Sequence, residues 1–345
     1  MSSKNGGTAL VTGGHGFLGS HLVDLLLARG FSVRCLLRPD RPASVFAGRP
    51  VDIARGDLRR SEGLAAAVEG VDLIFHVAGL VTARGPAEFR AVNVVGTRRL
   101  AAAVGRLNPH CRRFVYVSSQ AAAGPSRDGR PVREDRPPQP LTHYGRSKLE
   151  GERALAEELG EVPWSIVRPP AIYGPRDEGI LPFFQLAARG FAAGLEGPRG
   201  RRFNLLHARD VAEGTLAAAE TAAAAGRTYF LADEHGSGYG YPEVARSLER
   251  AFGHRTRRVP LPDLLLDLAG VITDEVAWLC GRRSIFGRDK AREIKARWWL
   301  CSPERAARDL GWRARIALDD GFAETARWYA EAGKLPSPRR VPSPL

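Results

Sequence analysis

The sequence predicts an α/β chain, a doubly wound parallel sheet joined to a smaller, discontinuous C-terminal lobe. Three observations carry that expectation. Apolar runs of strand length alternate with segments of helical periodicity through the first half, the pattern of βαβ crossovers that cover a parallel sheet on both faces. A glycine-rich turn, Thr12-Gly13-Gly14-His15-Gly16-Phe17-Leu18-Gly19, lies between the first strand-like run and the first helical stretch. Beyond Gly174 the text turns Gly- and Arg-rich up to Arg202, returns to strand-and-helix text as far as Ala232, and then loses that order again. A chain that leaves the sheet, comes back and leaves a second time reads this way.

Taken in order, strands are expected at 8–11, 32–37, just ahead of Gly56, at 73–77, 114–118 and 165–167, with helices at 20–28, 93–107 and 147–159. Strand-and-helix text recurs over 203–220 and at 228–232. Residues 1–175 and 203–232 are assigned to the sheet domain, 176–202 and 233–332 to the second lobe, and the Pro/Ser/Arg-rich 333–345 to a mobile tail. Residues 261–272 are strongly apolar but too short to span a bilayer. Interrupted by Asp263 and Asp267, they read as a buried or pocket-lining helix in preference to a membrane-surface contact.

With 345 residues, 44% of them hydrophobic, the chain can bury a large core, which excludes disorder. No uncharged apolar run reaches about 18 residues, and the first strand begins too early for a signal peptide, so a cytoplasmic protein without a membrane span is expected. Cys35, Cys111, Cys280 and Cys301 are far apart and form neither a disulfide framework nor a metal-ligand pattern. The net charge of +13 is spread over scattered arginines without interleaved aromatics. That favours a basic surface around an anionic cofactor or substrate over a nucleic-acid partner.

The glycine turn is suited to a dinucleotide. Gly13 permits a tight bend, Gly16 lets a pyrophosphate approach the backbone, Gly19 allows close packing of helix on strand, and the helix N-terminus offers N–H donors to phosphate. At the end of the second strand the position that would hold a ribose-binding acid is Leu37, followed by Arg38. A guanidinium there can grip a 2′-phosphate, so NADP(H) is favoured, while Asp40 keeps NAD(H) open. Asp57 and Leu58 follow another short strand, either as an adenine contact or as a capped turn.

Tyr144 and Lys148, four residues apart, share one face of a helix. An ammonium beside a phenol favours the phenolate, lowering the Tyr pKa toward use as a proton donor and acceptor, which carbonyl reduction requires. Ser118 and Ser119 end a strand at the sheet edge where ligands bind, and either hydroxyl can hold a substrate oxygen or simply cap the turn. His207 and Asp210 read as structural, with Asp210 near a helix start.

The ordered set TGGHGFLG (12–19), GDL (56–58), HVAG (76–79), NVVGT (93–97), YVSSQ (116–120), YGRSK (144–148), RPPAIYGP (168–175), NLLHARDVAEG (204–214) and RDLGW (308–312) resembles the extended short-chain dehydrogenase/reductases of the NAD-dependent epimerase/dehydratase superfamily, over residues 8–332. The resemblance implies a Rossmann-type sheet and a catalytic set of Ser119, Tyr144 and Lys148, Ser119 because it lies five residues before Gly124. It implies Asn93 as a further active-site residue tied to a proton-relay water, Pro169 beside the nicotinamide, and Phe17, Leu18 and Ala78 among the cofactor contacts. VRCLLRPD, with Arg38, is similar to 3β-hydroxysteroid dehydrogenase and dihydroflavonol reductase-like members. That implies hydride transfer between NADP(H) and a secondary alcohol or ketone of a bulky steroid-, flavonoid- or polyketide-like molecule, by a homodimer. The alternative is a nucleotide-sugar epimerase or dehydratase with tightly held NAD, for which Arg201 and Arg202 are candidate anchors if they are not simply solvated.

Overall fold

The computed structural model describes residues 6–197, 200–279 and 287–335; Cys280 and the tail beyond 335 lie outside the described residues. Strands β1 (Thr8–Thr12), β2 (Ser32–Leu37), β3 (Val51–Arg55), β4 (Leu73–His76), β5 (Arg113–Val117) and β6 (Trp164–Arg168) alternate with helices. The chain then adds β7 (Ala171–Tyr173), β8 (Phe191–Gly194), β9 (Arg202–Phe203), β10 (Leu205–His207), β11 (Arg227–Phe230), β12 (Tyr239–Gly240), β13 (Arg257–Pro260) and β14 (Trp298–Trp299). β1 to β6 and β11 form one parallel sheet in the order β11-β6-β5-β4-β1-β2-β3.

The pleat explains why the inner strands are apolar throughout. Leu10, Ile74, Phe114 and Tyr116 project to one face and pack with Leu100, Val104 and Leu155, while Val11, Phe75, Val115 and Val167 project to the other, against Leu22, Leu26 and Val211. The strand order reverses between β1 and β4, so the ligand crevice falls at the C-terminal ends of those two strands.

The remaining strands make three small sheets, β7 with β10, β12-β9-β14, and β8 with β13. A separate aromatic cluster of Tyr173, Phe184, Phe252, Phe322 and Tyr329 joins them to the helices Tyr241–Phe252 and Leu318–Glu331.

Several boundaries differ from expectation. The first helix is Phe17–Ala28, with Gly16 rather than a later residue at its cap. The tyrosine helix spans His143–Glu158; Thr142 caps it, its Oγ1 accepting from Gly145 N at 3.1 Å. The stretch expected as one helix at 93–107 divides into a π-helical segment, Arg90–Gly96, and an α-helix, Thr97–Leu107. Two residues expected in the tail are packed: Leu335 is buried in the aromatic cluster and Lys334 pairs with Glu178.

Residues 261–272 require the largest correction. They belong to the helix Asp263–Leu279, but only Leu266 among their leucines within it is buried, and the other aliphatic side chains of that stretch face solvent. The cause is a reversed polarity: Asp263 pairs with Arg201 and Asp267 with Lys295, so the ionic edge is the one tied to the protein. Among the described residues no helix is long and apolar enough to cross a membrane. Cys35, Cys111 and Cys301 are buried single thiols.

Candidate active site

A cleft of about 2140 Å³ runs along the C-terminal ends of the central strands and into the second lobe. Its floor at one end is the glycine turn. Gly13 has φ +72°, and a Cβ there would lie 2.8 Å from Ala78 N; a Cβ on Gly19 would run into Gly13 O. Gly16 caps the first helix with no side-chain hydrogen bond and no acidic residue in the first turn, so the N–H groups at Phe17 and Leu18 face the cleft free of any internal carboxylate. These are the features a pyrophosphate needs, and the residues present fit a dinucleotide.

Arg38, Asp57, Leu58, Ala78 and Pro169 all line the same cleft. Arg38 is about a third exposed and faces Asp40 at 3.4 Å. The guanidinium of Arg59, 2.6 Å from Asp57 Oδ2, holds the Asp57 carboxyl below its usual range. His15, which had gone unassigned within the glycine turn, is held below its ordinary value by burial and by the positive charges of Arg41 and Arg38. His15 and Arg38 both line this end of the crevice.

A buried chain of hydrogen bonds supports this floor from beneath. Thr12 Oγ1 donates to His76 Nδ1 at 2.7 Å, His76 Nε2 donates to Thr97 Oγ1 at 2.9 Å, and Thr97 Oγ1 donates to Asn93 O at 2.8 Å. Burial keeps His76 neutral, with its pKa down to about 3.

Tyr144, Lys148 and Ser119 line the cleft, and Ser119 bonds Tyr144. Burial raises the Tyr144 pKa to about 12, opposed by a hydrogen bond from Ser119. Burial lowers Lys148 to about 7, with the negative charge of Glu152 acting the other way. The expected depression of the Tyr144 pKa by the lysine is therefore not seen. Lys148 Nζ donates to Val117 O at 2.7 Å and lies 4.3 Å above the Tyr116 ring.

The two serines have different partners. Ser118 Oγ donates to Glu152 Oε1 at 2.5 Å and is buried, whereas Ser119 lines the cleft and bonds Tyr144. Glu152 also accepts from Arg168 Nε at 2.9 Å and Nη2 at 2.5 Å, with both side chains 6% exposed. This buried ion pair escaped the sequence reading; the signal was present, since Tyr144, Lys148 and Glu152 follow one another at four-residue steps.

Asn93 sits behind the cleft wall and does not line it. Its Oδ1 accepts from Leu80 N at 2.7 Å, and its Nδ2 donates to Leu80 O and to Ser147 Oγ, both at 2.9 Å. These contacts tie the 79–80 loop to the tyrosine helix through Asn93.

On the substrate side the walls include Phe89, Phe183, Phe203, Tyr241, Val244 and Trp299. Arg201 donates to Leu195 O at 2.7 Å and pairs with Asp263. Arg202 donates to Ser237 O at 2.5 Å and Gly238 O at 2.6 Å and pairs with Glu243 at 3.2 Å. Both candidate anchors are thus engaged by internal partners, Arg201 buried and Arg202 about a third exposed. His207 and Asp210 are structural, as expected: His207 caps the helix Ala208–Glu220, and Asp210 accepts from Arg315 N and Ile316 N.

Residues 9–232 match the model of the NAD dependent epimerase/dehydratase family. The chain belongs to that family. Within it, the chain is 34% identical to a ceramide reductase of Caulobacter vibrioides over 97% of this chain and 98% of that protein. It is 31% identical to sterol demethylase protein B of Methylococcus capsulatus, over 95% and 100%. The crystal structure of gox2253 superposes with a TM-score of 0.78 at 27% identity, covering 95% of this chain and 99% of that one. This epimerase/dehydratase family member is an NAD(P)-dependent oxidoreductase of the extended short-chain dehydrogenase/reductase type, as the motifs indicate.

Proposed function

We propose that the protein interconverts a ketone and a secondary alcohol on a bulky, largely apolar molecule with NADP(H), the second lobe (176–202 and 233–332) forming the substrate wall. The observation that carries this reading is the substrate side of the cleft, walled by aromatic side chains while Arg201 and Arg202 are committed to internal partners. The names of the relatives, a ceramide reductase and a sterol-modifying protein, agree with a lipid-like substrate.

Gly13, Gly16, Gly19 and the first-turn N–H groups would hold the cofactor pyrophosphate, Arg38 with His15 beside it would hold a 2′-phosphate, and Asp57 and Leu58 would border the adenine. When bound, the nicotinamide exchanges a hydride with the substrate carbon. Tyr144, neutral at pH 7 with its pKa near 12, donates its phenolic proton to the carbonyl oxygen in reduction and recovers it in oxidation. Ser119 donates a hydrogen bond to the same oxygen. Lys148, which lines the cleft and donates to Val117 O, is lowered by burial to about 7 and supplies the cleft with a positive charge that is lost above that pH. A homodimer paired through sheet-domain helices accompanies this reading and is checked by light scattering.

The test is NADPH oxidation with a panel of long-chain and polycyclic ketones. Tyr144→Phe should lower turnover by about 10²-fold or more while NADPH titration shows unchanged binding. Turnover retained in the variant would overturn the assignment.

A further inference from the structure

The helix Asp263–Leu279 is built inside out for a soluble protein. Leu264, Leu268, Val271 and Ile272, with Leu265 beside them, recur at helical spacing and share one face, and Leu264 is 77% exposed. On the opposite face Leu266 is buried, and Gly270 allows close approach of the next helix, Arg288–Lys295, at Ala291. Asp263 and Asp267 lie on that inner side and pair with Arg201 and with Lys295 at 2.5 Å, Asp274 there accepts from Arg288 N at 2.9 Å, and Glu275, at the end of the outer stripe, pairs with Arg288 at 3.0 Å.

The parallel ribbon of β8 and β13 leads directly into this helix. By its register Phe191 and Arg257 are paired, and Val259 lies two residues further along the same face. Phe191 and Val259 are exposed, so this ribbon and the helix carry seven of the nine exposed large apolar side chains among the described residues. Arg255 and Arg257 are exposed beside it and enter no ion pair among the described residues, while Arg258 pairs only with Glu196 at 3.3 Å.

We propose that this face docks the protein on a bilayer surface rich in anionic headgroups. An aliphatic helical stripe seats at the headgroup–acyl boundary, and flanking arginines are complementary to anionic lipid; the net charge of +13 acts in the same direction. Docking also has a consequence for catalysis, which rests on the reductase reading above. Asp274 and Glu275 of the same helix, and Arg288 and Arg292 of the next, line the cleft, so the docked face brings the cleft mouth to the layer in which lipid-like ketones reside.

The test is co-sedimentation of the full chain with vesicles of phosphatidylcholine mixed with phosphatidylglycerol, and of phosphatidylcholine alone, without substrate. The wild type should pellet with the anionic vesicles and much less with the neutral ones. Leu264→Ser/Leu268→Ser/Ile272→Ser should lower partitioning by about tenfold or more with unchanged circular dichroism and unchanged turnover of a short water-soluble ketone. Arg255→Glu/Arg257→Glu should abolish the preference for anionic lipid. A wild type that stays in the supernatant, a triple variant that pellets equally, equal pelleting with neutral vesicles, or a wild-type dimer that the triple variant splits would each overturn the proposal. Binding is read without turnover, so failure of the reductase reading shows separately, in the Tyr144→Phe assay.

Discussion

Glu152 is buried under the reacting groups, where it accepts from Ser118 and twice from Arg168. Glu152→Gln would leave the Arg168 guanidinium buried without a counter-charge, and the expected loss is about 3–5 kcal/mol of stability, measured by urea unfolding. The same change removes the charge that holds the Lys148 pKa up. In the wild type, kcat/KM for reduction should fall as pH rises through about 7, where Lys148 loses its proton; in Glu152→Gln that limb should move to lower pH. A limb that stays in place would show that Lys148 is not the group being titrated. Arg38 supports a second prediction. Arg38→Ala should weaken NADPH binding by about 10- to 100-fold, the worth of a charge-assisted hydrogen bond, and leave NADH binding unchanged. Equal losses for both nucleotides would contradict a 2′-phosphate contact.

At the scale of the element, legibility followed the strength of the local signal. β1, β4 and β5 were readable because strands buried on both faces carry a near-continuous apolar run, and β2 because Arg34 is a single interruption in one. The start of the tyrosine helix was not, because its first turn, His143 to Arg146, has no apolar periodicity and is fixed instead by the Thr142 cap. Thr142→Ala should therefore cost about 1 kcal/mol and raise KM by loosening Tyr144, both measured on the purified variant. Asn93 was located correctly in the chain, but its role depends on Leu80 and Ser147, partners that only the fold supplies. Ser119 was separated from Ser118 by resemblance and then by chemistry, since Glu152 engages the other hydroxyl. The helix after Pro262 was misjudged because hydrophobicity predicts burial only where a neighbouring element covers it, and here the covered side is the ionic one.

For the molecule as a whole, three buried histidines tie stability to pH. Burial lowers His21 to about 4 and His76 and His207 to about 3, so in each case the unfolded chain binds the proton more readily. Their contribution is complete above the unfolded value of 6.5 and is lost as pH falls toward the folded values. Between pH 6.5 and 5 each should cost about 2 kcal/mol. Asp177, raised by burial to about 6, opposes this, because it takes up a proton in the folded state first. The net expectation is a melting temperature that drops from pH 7 to pH 5, followed by calorimetry. The sheet carries the cofactor crevice and the second lobe an apolar wall, so the central claim is net reduction by an exchangeable nucleotide. The most direct test is to incubate the purified protein with NADPH deuterated at C4 and a long-chain ketone, and to follow both nucleotide and product by mass spectrometry. Deuterium on the product carbinol carbon, with one NADP⁺ released per alcohol formed, is the predicted result. Retained stoichiometric NAD with no net oxidation of NADPH would contradict it.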